Sequence, residues 1–136
     1  MVKYEDIIGF ADLVTEDSVI DIKTVHSRAF WYMEKGDYDV EKEKESNILQ
    51  VVSYAWILKK PKANILFVSK DDLCMAEYGF ATDKWIPRVE GELKTLRGYW
   101  DKNELPKAQA RCYNGKECDY CPFKDKCVAL EGKVEP

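Results

Sequence analysis

Histidine is almost missing from this chain: His26 is the one example. Any histidine-borne metal or general-base role falls to that residue alone, and a lone loop histidine is usually neither. No run of 18 apolar residues occurs, so no membrane-spanning helix and no membrane partner are expected. The opening Met-Val-Lys-Tyr-Glu-Asp has no signal-peptide pattern, which points to a cytoplasmic protein. Positive charge is not in excess: Lys and Arg number 21 against 25 Asp and Glu, a net charge of −4. That balance does not advertise a nucleic-acid binder. Active-site acids and a metal would offset part of it, and local basic patches matter more than the sum. No cysteine precedes Cys74, and there are no internal repeats or low-complexity segments. Met1 to Asp6 is too short for a helix ahead of the first strand. What remains is 136 residues, 46% apolar and 34% charged, ordinary for one folded domain with a real core.

The most informative stretch runs from Ile7 to Lys23. Ile7 to Val14 and Val19 to Ile22 are mostly apolar and read as strands. Thr15-Glu16-Asp17-Ser18 between them is turn chemistry. With Glu16-Asp17 as the loop, Asp12 falls opposite Asp21. Cross-strand partners have Cβ atoms about 5 Å apart, and like charges there are destabilising. Two acids so placed want a cation between them, and hard oxygen ligands suit Mg²⁺ or Mn²⁺. Asp21 and Lys23 share a strand face, because side chains alternate with period two. The plainer alternative is an edge hairpin with a charged outer face.

Beyond the hairpin, Ala29-Phe30-Trp31-Tyr32-Met33 either packs a short helix on the sheet or stacks on unpaired bases. Arg28 could hold a phosphate nearby. Glu34 to Glu45 reads as a charged loop. Ser46 to Lys59 is a helix, ended by Pro61, with Ile48, Val51, Val52 and Ala55 as its core stripe. Gln50 and Tyr54 share an adjacent face at i and i+4. They form either a polar helix flank or, if that face borders the hairpin, part of the metal site. Lys42, Lys44, Lys59, Lys60 and Lys62 flank this helix, as a solvated face or as phosphate contacts. Ala63 to Ser69 is an apolar strand, and Lys70 to Leu73 is a turn. Cys74 to Ala81 is a partner strand with Met75, Glu77 and Gly79 on one face and Cys74 as a small buried hydrophobe. Thr82 or Asp83 caps a last helix. Ile86, Val89, Leu93, Leu96 and Trp100 are its core stripe, and Gly91 and Gly98 weaken it.

Four cysteines close the chain: Cys112, Cys118, Cys121 and Cys127, spaced C-x5-C-x2-C-x5-C. In a cytosolic protein this density points to a metal rather than disulfides. Sulphur ligation means zinc or an iron–sulphur cluster, and spacing alone slightly favours zinc.

Gly9-Phe10-Ala11-Asp12, then Asp21-Ile22-Lys23-Thr24, then Gln50-Val51-Val52-Ser53-Tyr54, then the cysteine tail, appear in one order that resembles the PD-(D/E)XK nuclease superfamily. The likeness is to its RecB-like branch, which includes phage exonucleases and CRISPR-adaptation nucleases, and it runs from about Ile7 to Cys127. It implies a restriction-endonuclease-like core. The expected fold is α/β: a mixed central sheet of about four strands flanked by helices over 1–110, with a cysteine-rich metal-bound tail over 111–136. The resemblance further implies a Mg²⁺- or Mn²⁺-dependent deoxyribonuclease acting on DNA, held by Asp12, Asp21 and the Ile22 carbonyl. Lys23 would position water or stabilise the transition state. Gln50 would bond substrate or water, and Tyr54 would contact a phosphate or steady the lysine.

In that branch C-x2-C-x5-C holds a [4Fe–4S] cluster with a fourth cysteine far upstream. Cys118, Cys121 and Cys127 match the triplet, but here Cys112 must be the fourth ligand, which keeps zinc open. The family also places a helix before the first strand. Its absence here leaves Glu5 as a stand-in, or a protein partner or second copy to cover the gap. The rival function is a non-catalytic, metal-stapled subunit that binds nucleic acid or protein.

Overall fold

Along Lys62–Ser69 every second side chain is buried: Ala63, Ile65, Phe67 and Ser69. Period-two burial makes this segment a strand with one face in the core. It is a central strand of the computed structural model, which describes residues 1–36, 38–104 and 121–125. In chain order the elements are β1 (Val2–Tyr4), β2 (Ile7–Gly9), β3 (Leu13–Val14), β4 (Ser18–Val25), α1 (Ser27–Glu34), α2 (Val40–Glu43), α3 (Glu45–Ile57), β5 (Lys62–Ser69), β6 (Met75–Ala81) and α4 (Thr82–Asp101). The fold is α/β: a mixed four-stranded sheet, ordered β3-β4-β5-β6, with helices packed on it. β4 and β5 are parallel, and the other two pairings are antiparallel. The chain divides into two compact units, Met1–Leu93 and Lys94–Pro136.

The helices of the first unit cover one face of the sheet. Val19, Ala63, Ile65, Phe67 and Phe80 from the strands form one cluster with Phe30, Met33, Val40, Ile48, Val51, Val52, Ala55 and Val89 from the helices. The expected α3 stripe is fully buried at all four positions. Burying a side chain of this size stabilises by about 1.5–3 kcal/mol. On the opposite face Ile20, Leu66 and Val68 are half-buried, while Ile22 and Met75 are exposed.

The β3–β4 turn has the expected register: Leu13 pairs with Ile20 and Val14 with Val19. The Thr15 N–H donates to the Ser18 carbonyl at 2.9 Å, and the Ser18 N–H donates to Thr15 Oγ1 at 3.0 Å. Hydroxyls bonding back to the chain are what close this turn without glycine.

Several expectations need correction. Ile7 to Val14 is not one strand. β2 pairs with β1 in a separate two-stranded sheet, and the chain breaks at 10–12 before β3. The opening residues thus hold a strand, turned by Glu5-Asp6 with Glu5 in left-handed backbone at φ 49°. Glu34 to Glu45 is not all loop: Asp39 caps α2 by accepting the Lys42 N–H at 3.2 Å. Cys74 is exposed rather than buried, because it precedes the first β6 ladder pair, Met75 with Val68, on an edge strand. The core stripe of α4 holds at Val89 but not at its far end, where Leu96 and Trp100 are exposed. No helix among the described residues is long and apolar enough to cross a membrane.

Candidate active site

Strand alternation puts Val19, Asp21 and Lys23 on the β4 face that α3 covers. Asp21 is only 3% exposed. A carboxylate buried among apolar side chains is costly unless it is paired. The partner is Lys23, whose Nζ lies 2.9 Å from Asp21 Oδ2. That contact is an ion pair, and no other donor among the described residues reaches the buried Oδ2.

A polar chain continues from Lys23 onto α3. Lys23 Nζ donates to Gln50 Oε1 at 3.1 Å, and Gln50 Nε2 donates to Tyr54 Oη at 3.3 Å. The i, i+4 spacing that puts Gln50 and Tyr54 on one helix flank thus turns that flank toward β4. Tyr54 in turn lies against Gly9: a Cβ built there would come within 2.5–2.8 Å of the ring and its oxygen. Glycine is required for that approach. The positioning role of Gly9 was not visible in sequence, because its contact partner is 45 positions away.

Asp12 is exposed, just before β3, and its Oδ2 accepts the Ile22 N–H at 2.7 Å. The side chain thus takes the place of a ladder carbonyl on the open edge of β4. In a strand the N–H and C=O of one residue point the same way, so the Ile22 carbonyl also faces this edge. Asp12 and the Ile22 carbonyl thus face the open edge of β4, and Asp21 is the next residue along the strand, with its side chain on the face that α3 covers. A carboxylate has about four lone-pair sites, so each acid keeps capacity beyond its present contact. Carboxylate and carbonyl oxygens are the donors that a hard divalent cation takes. No set of three or more His, Cys, Asp or Glu side chains able to hold a metal occurs among the described residues.

The other candidates lie elsewhere. His26 is exposed, with Nδ1 3.3 Å from Asp71 Oδ2, and Asp71 also accepts the Ser27 N–H at 2.9 Å. The Ser27 bonds, with help from His26 and Lys70, hold the Asp71 carboxyl below its usual range. Arg28, Trp31 and Tyr32 line a shallow cleft along α1 with Asp72, while Phe30 and Met33 pack into the core. Lys35 sits 3.4 Å over the Trp31 ring. Glu5 is at the tip of the β1–β2 turn, the end of that hairpin away from Gly9. Of the tail cysteines, Cys121 is exposed, and Cys112, Cys118 and Cys127 lie outside the described residues. No protein-family model, curated protein or solved structure matches the chain.

Proposed function

We propose that this protein is a metal-dependent deoxyribonuclease of the PD-(D/E)XK type with a restriction-endonuclease-like core. The observation that carries the proposal is the buried Asp21 carboxylate, paired with Lys23 and backed by Gln50 and Tyr54, with Asp12 at the adjoining edge. The motif resemblance supplies the reaction, phosphodiester hydrolysis. Asp12, Asp21 and the Ile22 carbonyl would hold Mg²⁺ or Mn²⁺. Such an ion supplies charge neutralisation at the scissile phosphate and a lowered pKa for attacking water. Lys23 offers a preorganised ammonium to the oxygens where negative charge grows. Gln50 holds that ammonium from one side and has a second amide N–H to orient water or substrate. Tyr54, fixed between Gln50 and Gly9, keeps the chain in line. The tail would carry a [4Fe–4S] cluster or zinc on Cys112, Cys118, Cys121 and Cys127, as a staple rather than a reactant.

The test is cleavage of linear and circular DNA with and without Mn²⁺, in the parent, Asp21→Ala and Lys23→Ala. Removing one such preorganised donor costs about 10²–10³ in rate. Variants that cut as fast as the parent would refute the assigned roles. A second reading, a non-catalytic DNA- or protein-binding subunit, is favoured by the shortage of a third acid among the described residues. Binding of DNA without any cutting would decide for it. Absorption near 400 nm, about where iron–sulphur clusters absorb, would exclude zinc.

A further inference from the structure

Away from Asp21, a cleft of about 670 Å³ opens where β1, the end of α3 and the start of α4 meet. Its walls include Lys3, Tyr4, Trp56, Lys59, Lys60 and Thr82. Three features of this cleft point to one kind of ligand.

The first is uncompensated positive charge. No hydrogen bond or ion pair engages the ammonium of Lys3 or Lys59 among the described residues. Lys60 Nζ donates to the Glu16 carbonyl at 2.8 Å, which leaves its charge unneutralised. The second is a donor with nothing to bond. Thr82 is 4% exposed and lines the cleft, and its hydroxyl has no hydrogen-bond partner. It is the first residue of the 20-residue α4, whose N-terminus carries partial positive charge. Asp83 brings a carboxylate to the lip, turned onto the Lys84 N–H at 2.9 Å. The third is aromatic: Tyr4 and Trp56 stand with ring centroids 5.1 Å apart.

Lys59 also occupies a place that suits glycine. The Lys59 N–H donates to the Trp56 carbonyl and the Lys60 N–H to the Ala55 carbonyl, closing α3 in a Schellman motif with Lys59 at φ 56°. Glycine is the usual residue there, because a side chain in left-handed backbone is strained.

We propose that this cleft binds a nucleotide unit, with its phosphate at Lys59, Lys3 and the Thr82 end of α4 and its ring beside Tyr4 and Trp56. The volume lies in the range of small-molecule sites. The unit comes from a free nucleotide or from one position of a nucleic-acid strand. The site stands independently of the nuclease reading.

The experiment measures binding to the full chain in EDTA, so that no metal-dependent cutting intervenes. Calorimetry follows thymidine monophosphate, and fluorescence anisotropy follows a labelled single-stranded thymidine oligomer. Lys59→Gly should weaken binding about ten-fold while raising the Tm by about 3 °C. Thr82→Val should weaken it about five-fold with no loss of Tm, since it only removes an unpaired buried hydroxyl. Lys70→Ala, an equal charge change at the other end of β5, should bind like the parent. Equal binding of monophosphate and oligomer assigns a free nucleotide, and binding of the oligomer alone assigns a strand. A parent that binds neither overturns the proposal. So do cleft variants that bind as well as the parent, or a Lys70→Ala protein weakened as much as Lys59→Gly. Loss of DNA cutting in Asp21→Ala bears on the other site only.

Discussion

The Asp21 cluster and the Thr82 cleft are both polar, yet their charges are left in opposite condition. Around Asp21 every charge has a neighbour of the other sign or a hydrogen bond, and only one carboxylate oxygen is short of a donor. Around Thr82 two ammonium groups and a hydroxyl have no partner among the described residues. The first holds its buried carboxylate against an ammonium, and the second leaves ammonium groups without a counter-ion among the described residues. Unsatisfied buried groups cost free energy, so what a site lacks is a guide to what it takes.

The largest effect that separates the two regions is Asp21→Asn. DNA cleavage in Mn²⁺ should fall by about 10³, while nucleotide binding in EDTA stays at the parent level. A parallel loss of both would mean that the two regions are one site. Next comes Gly9→Ala, whose methyl group would displace the Tyr54 ring. Cleavage should drop roughly ten- to hundred-fold with the cleft untouched. If Tyr54 is the route, Gly9→Ala added to Tyr54→Ala should cost nothing further.

A smaller effect concerns Cys74. The charge of Asp72 pushes this thiol above its ordinary value. Because the thiolate is the reactive form, alkylation of Cys74 at neutral pH should be slow for an exposed thiol. Asp72→Asn should speed it a few-fold, read by peptide mapping. The smallest effect contrasts Lys62 with Lys59. Lys62 Nζ lies 2.8 Å from Asp17 Oδ2, and that bond lowers the Asp17 carboxyl and raises the Lys62 ammonium. The Asp17 contribution to stability is present above pH 3.8 and lost as pH falls through the lowered folded value. The Lys62 contribution is present below pH 10.5 and lost as pH rises through the raised one. Lys62→Met should therefore lower the Tm at pH 6 by only about one degree, since exposed pairs contribute little, and leave nucleotide binding unchanged.

Much of this arrangement was legible in the sequence. Taking Glu16-Asp17 as the loop predicted the β3–β4 register, because turn chemistry is local. Ile48, Val51, Val52 and Ala55 were readable because helical periodicity is also local. The i, i+4 spacing of Gln50 and Tyr54 said they share a flank, though not which way the flank turns. β1 was missed because three residues give no alternation to detect. Cys74 was misplaced because burial depends on the neighbouring strand, not on side-chain type. Lys59 was grouped with other lysines because a left-handed φ leaves no mark in composition. Leu96 and Trp100 fit the same stripe as Val89, and only tertiary contact separates the buried residue from the exposed ones.

The parallel pairing of β4 with β5 also bears on how the molecule forms. After Val25 the chain must lay down α1, α2 and α3 before Lys62 can return beside Ser18. Hairpins close quickly, but a crossover of this length pays its loop entropy before any ladder bond repays it. The Lys23–Gln50 contact joins β4 to the last helix of that crossover. In a refolding experiment the β3–β4 turn should therefore be complete early, and the contact that joins the two halves of the polar chain should mature with the slowest phase.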